Sequence, residues 1–130
     1  MKNKLWAVLA AVAGLSIFSA PIFAHHGAAA YEMGQSVTVE GSVTSFDFSN
    51  PHVIISMDGK DEKGPAQKWQ GELTSPNHLA RAGWSRNTLK PGEHITMIGS
   101  PAKSGAASVW IRKILGPDGK EIATGGGADN

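Results

Sequence analysis

The chain of 130 residues contains no cysteine. That absence removes disulfides, thiolate metal sites and a lipid-bearing N-terminal cysteine together. An excess of one charge is missing too: 12 Lys+Arg stand against 11 Asp+Glu. Nearly balanced charge leaves no electrostatic footprint for nucleic acid or an anionic membrane. Basic residues are not interleaved with aromatics along any strand-like stretch, which further argues against a nucleic-acid surface. No Gly-x-Ser-x-Gly and no His-Glu-x-x-His occurs, so hydrolase and zincin chemistry find no support, and no enzyme is expected. Long apolar runs are confined to one place, Leu5 to Phe18, interrupted by Gly14 and Ser16.

That run belongs to a tripartite start. Lys2 and Lys4 precede it, and Ser19-Ala20-Pro21-Ile22-Phe23-Ala24 follows and ends on a small residue. The order predicts a cleavable signal peptide over residues 1–24 and a periplasmic or secreted mature protein. A membrane anchor fits poorly, because the run is too short for ~30 Å of hydrocarbon and Pro21 breaks it. Cleavage removes two lysines, leaving 10 Lys+Arg (12 − 2) against 11 Asp+Glu. The mature start at His25 leads into a segment over 25–35, then a domain over 36–123. The tail over 124–130 is rich in glycine and has nothing to bury.

Within the domain, Ser36 to Phe46 alternates apolar and polar residues with period two, the pattern of a half-buried strand. Gly41 in its middle predicts a bulge or sharp bend. His52 to Met57 and Ala66 to Leu73 read as the second and third strands, with Asp58 to Gly64 as a polar hairpin loop between them. Ser75-Pro76-Asn77 starts a short helix, with Ser75 as N-cap and Gly83 as its stop. His94 to Gly99 and Ser108 to Leu115 are the last strands. Three strands, one short helix and two strands is the order of a five-stranded OB-like Greek-key barrel with its helix between strands three and four. A small open β-sandwich gives similar local signals. The expected core includes Val37, Val39, Val43, Ile54, Trp69, Leu73, Leu79, Trp84, Ile95, Met97, Val109 and Ile111.

Five histidines carry the distinctive chemistry: His25, His26, His52, His78 and His94. Cleavage would make His25 the first residue, so that its α-amino group and imidazole can chelate one metal. A further imidazole from His26 or His52 completes a nitrogen set suited to copper(II), which tops the divalent affinity order. Met33, Met57 and Met97 are soft donors that would favour copper(I). The bland reading makes His52 a turn residue, and His78 and His94 surface residues. Function therefore divides between an exported copper-binding protein, with His25, His26 and His52 as ligands, and a non-metal module presenting a barrel face to a small molecule or an envelope partner.

Ala24-His25-His26, Asn50-Pro51-His52, Ser75-Pro76-Asn77, Arg81-Ala82-Gly83-Trp84 and Leu89-Lys90-Pro91-Gly92 occur in that order. Together they resemble a family of small exported bacterial proteins, domain of unknown function 6152. The resemblance runs from about Ala24 to Gly119 and implies a secreted β domain without assigning it an activity.

Overall fold

A computed structural model describes residues 27–125. The signal-peptide reading, the mature start at His25-His26 and all of the tail beyond Gly125 lie outside the described residues. A 3-10 turn at Gly27–Ala30 precedes five strands: β1 (Val37–Asp47), β2 (Ile54–Asp61), β3 (Gln67–Glu72), β4 (His94–Pro101) and β5 (Ser108–Leu115). One helix, α1 (Pro76–Arg81), lies between β3 and β4. The strands close into a barrel in the order β1-β2-β3-β5-β4. All neighbours are antiparallel except β3 and β5, which run parallel over three residue pairs, Gln70–Ser108, Gly71–Val109 and Glu72–Trp110. This is the OB-like barrel expected from the pattern. Among the described residues no helix is long and apolar enough to cross a membrane.

Local chemistry explains the helix. Ser75 is extended at φ −66°, ψ 153°, and its side chain accepts from the His78 amide at 3.3 Å. Pro76 follows in the first turn, where a missing N–H costs nothing. Gly83, at φ +93°, lets the chain leave. Leu79 is fully buried, so the helix plugs one end of the barrel. Trp84 follows it inward, with its ring 6.0 Å from that of Phe46 and its indole N–H donating to the Ala123 carbonyl at 2.7 Å. Trp84→Ala should cost about 3–5 kcal/mol, read as a lowered denaturant midpoint with an unchanged slope.

Two details differ from expectation. The bulge in β1 falls between Val43 and Ser45, where the register with β2 shifts, and not at Gly41. Gly41 is instead a close approach: a Cβ there would lie 2.5 Å from Gly59 Cα. Strand β2 runs on through the expected hairpin loop to Asp61, since the long β1 offers Gly41, Glu40 and Val39 as partners for Gly59, Lys60 and Asp61. The inward residues of this stretch are Val53, Ile55 and Met57, all at most 1 % exposed. Ile54 is only half-buried and lies outside the core, as Val37 does at its margin. The other expected core residues are buried.

Candidate functional site

Four segments meet at one rim of the barrel. The stretch after the cis Asn50–Pro51 bond carries His52. It is pinned by the Val53 amide donating to the Thr74 carbonyl and the Leu73 amide donating to the Val53 carbonyl. The end of β3 carries Glu72. The start of β5 carries Ser108 and Trp110, alongside Gln70 and Glu72 in the parallel register. The N-terminal segment supplies Tyr31, held by its bridge to Ala102. Backbone bonds from the Glu32 amide to the Pro101 carbonyl and from the Lys103 amide to the Ala30 carbonyl secure that segment.

Their side chains form one network. Glu72 is 8 % exposed. Its Oε1 lies 2.6 Å from His52 Nδ1, and its Oε2 accepts from the Tyr31 hydroxyl at 2.7 Å. The Tyr31 oxygen is also 3.0 Å from Ser108 Oγ. Glu72 thus engages Nδ1 and leaves Nε2 as the ring nitrogen on the opposite edge. Trp110 stands edge-on to His52, with centroids 5.5 Å apart, and 5.9 Å from the Tyr31 ring. His52 is thus held by Glu72 at Nδ1 and by Trp110 against its ring, and a carboxylate behind Nδ1 is the usual device for orienting an imidazole ligand.

The Nε2 edge faces the N-terminal segment. A Cβ built on Gly27 would lie 3.2 Å from His52 Cε1 and 3.9 Å from Nε2. Gly27 therefore packs on this edge of His52. His25 and His26 themselves lie outside the described residues.

The remaining candidates stand elsewhere. His78 is on α1, near Gly125, and His94 is exposed at the start of β4. Met57 and Met97 are buried in the core at 1 % and 0 % exposure, so they cannot serve as soft donors, and Met33 is exposed at 42 %. No group of three or more His, Cys, Asp or Glu side chains converges as a metal site among the described residues. Glu72, Tyr31, Ser108 and Trp110 were not singled out by the sequence pattern.

Burial pushes the Tyr31 phenol up to about 12 from 10.0, with Glu72 adding to the rise and the Ser108 bond opposing it. A raised acid favours the neutral form in the folded state. Its contribution is complete below about pH 10 and is lost as pH climbs through about 12. The stability difference between wild type and Tyr31→Phe should fall by about 2–3 kcal/mol across that window. Urea midpoints of both proteins at the two ends of the window measure it.

Two solved structures show a distant similarity to this chain. The mitochondrial single-stranded DNA binding protein Rim1 of S. cerevisiae is 11 % identical, with a TM-score of 0.46, 63 % of this chain and 92 % of that chain covered. A ZRD-deleted mutant of TiaS in complex with agmatine is 21 % identical, with a TM-score of 0.47 over 73 % of this chain. This chain spans about a quarter of that one, 24 %. No curated protein matches the chain. A family model described as "Family of unknown function (DUF6152)" matches residues 12–110, most of the chain. The chain belongs to that family.

Proposed function

We propose that this protein is exported, is cut after Ala24, and binds one copper(II) ion at the barrel rim. The ligands are the α-amino group and imidazole of His25 and Nε2 of His52, with His26 as the alternative imidazole. The observation that carries the reading is the packing of Gly27 against the Nε2 edge of a histidine whose Nδ1 is held by buried Glu72. A terminal amine and imidazole form a chelate ring, and a preoriented second imidazole completes a three-nitrogen set in which copper outcompetes the other divalent ions. The role is that of a binding protein; no residue on the rim is assigned to a reaction. Copper titration of the mature chain beginning at His25 tests it. Stoichiometric binding that His52→Ala weakens is the expected result. Binding unaffected by His52→Ala would remove the barrel from the site.

A further inference from the structure

We propose that residues 120–125 form a displaceable strap over a strand-addition groove on β5, and that this groove takes an extended peptide of the strap's own pattern: an acidic residue, a branched aliphatic, then small residues. The groove is independent of copper and of the His52 rim. It exists because β3 is short. β3 pairs with β5 only at Ser108, Val109 and Trp110, and the chain then turns into α1. From Ile111 onward, the edge of β5 away from β4 has no strand beside it among the described residues. A bare strand edge is a template for another chain, and proteins cover such edges. Here the chain covers its own. It turns back at Pro117-Asp118-Gly119, with Gly119 at φ +75°. Leu115 and Glu121 then form a bridge, and the Ile122 amide donates to the Ile114 carbonyl at 3.0 Å.

The strap lies as a bound peptide would. Glu121 meets Lys113 at 3.4 Å, and Ile122 packs against the core. The Ala123 carbonyl accepts from the Trp84 indole N–H at 2.7 Å. A Cβ on Gly125 would lie 3.1 Å from His78 Nε2, so the pattern ends on a residue without one. In strand addition, main-chain bonds give affinity and alternate side chains give specificity. Little holds the strap down. Past the turn it has one backbone bond and one indole bond. The Lys113–Glu121 pair is about half exposed on both sides and contributes little. None of the five strands needs the strap to close the barrel. A segment held this way opens at far less cost than the whole fold. Once open, it leaves the Trp84 N–H and the Ile114 carbonyl facing the groove, a donor and an acceptor for another backbone.

Hydrogen exchange of the full chain, followed by NMR, tests the opening. The Trp84 indole N–H and the Ile122 amide should exchange about 100-fold faster than the ladder amides of β4 and β5, at rates that low denaturant leaves unchanged. Exchange at the ladder rate means that the strap opens only when the barrel unfolds, and overturns the proposal. Occupancy is tested with a labelled, end-capped peptide of residues 120–125, Lys-Glu-Ile-Ala-Thr-Gly. It is titrated into wild type and into full-length Ile122→Ser, whose own strap is weakened. The peptide should bind Ile122→Ser at least about tenfold more tightly, because the open fraction sets the apparent affinity. The same peptide with serine in place of its isoleucine should not bind. Equal binding to both proteins, or binding to neither, overturns the groove. A concentration-dependent dimer of Ile122→Ser that captures no peptide assigns the edge to a second copy of the chain and overturns the peptide reading.

Discussion

Gly99→Ala is expected to prevent the native barrel from forming, while Gly83→Ala should leave it standing. The two glycines look alike in sequence and differ in what surrounds them. Gly99 lies on β4 beside the register shift with β5, paired with Ile111. A Cβ there would run into the Trp110 carbonyl oxygen and lie 2.8 Å from its carbon and 3.0 Å from Ile111 Cα. All three obstacles are backbone atoms of the neighbouring strand. None can turn aside as a side chain would, so the β4–β5 ladder must part. The cost should exceed about 4 kcal/mol, the range reserved for broken cores. A domain of this size holds about 5–15 kcal/mol in total, so the variant should melt more than about 15 °C lower or not fold. Gly83, at φ +93°, has nothing within 4 Å of its Cβ position. Its replacement carries only the strain of a left-handed alanine, about 1–2 kcal/mol. Far-UV circular dichroism melts of both variants separate the cases, and equal melting temperatures would mean that β4 and β5 do not close as tightly as described. Because Trp110 contributes both the obstructing carbonyl and the ring against His52, a folded Gly99→Ala survivor should also show a disturbed rim.

The barrel was legible wherever one face of a strand is apolar and the other polar. Ser36 to Phe46 and Ser108 to Leu115 show this, and both lie within a residue of the observed β1 and β5. The helix was legible because Ser75, Pro76 and Gly83 each answer a local backbone need. Strand β2 was harder. Val53, Ile54 and Ile55 are all apolar, so alternation cannot say which faces inward, and the choice is made by pairing with β1 and β3. Its continuation through Asp58, Lys60 and Asp61 looks like loop chemistry, yet two of these are exposed on the strand's outer face. At the rim, His52 stood out as a lone imidazole after Asn-Pro. Glu72 did not, because a carboxylate between Gly71 and Leu73 gives no local sign of being buried. Its partners lie 20 and 41 positions away, and Ser108 is 77 positions from Tyr31. Only closure of the barrel brings them together.

Extending the mature chain by one residue before His25 should weaken copper(II) binding by more than about 100-fold, a larger loss than a supporting residue normally causes. The extension keeps every side chain and removes one thing, the amine adjacent to the His25 imidazole. A chelate ring that includes this amine is lost, whereas an ordinary histidine cluster is indifferent to where the chain begins. His25→Ala should lose a comparable amount by deleting the imidazole half of the ring. His52→Ala should also lose more than about 100-fold, since a ligand goes entirely. Glu72→Gln isolates orientation from ligation. The amide can still accept from Nδ1–H through its oxygen, but the charge behind the imidazole is gone, so the expected loss is about 10–100-fold. Each tenfold corresponds to about 1.4 kcal/mol, well within the resolution of competition titration against a chelator of known affinity. Circular dichroism of each variant checks that the barrel persists. If the extended chain, His25→Ala and His52→Ala all bind as wild type does, the amine-anchored site is wrong, and a module that presents a barrel face to a non-metal partner becomes the better account. If the extension and His25→Ala fail but His52→Ala does not, the ion sits on the chain end alone and Glu72→Gln should be silent. Loss in all four, graded with Glu72→Gln the mildest, is the pattern that the packing of Gly27 on an oriented His52 leads us to expect.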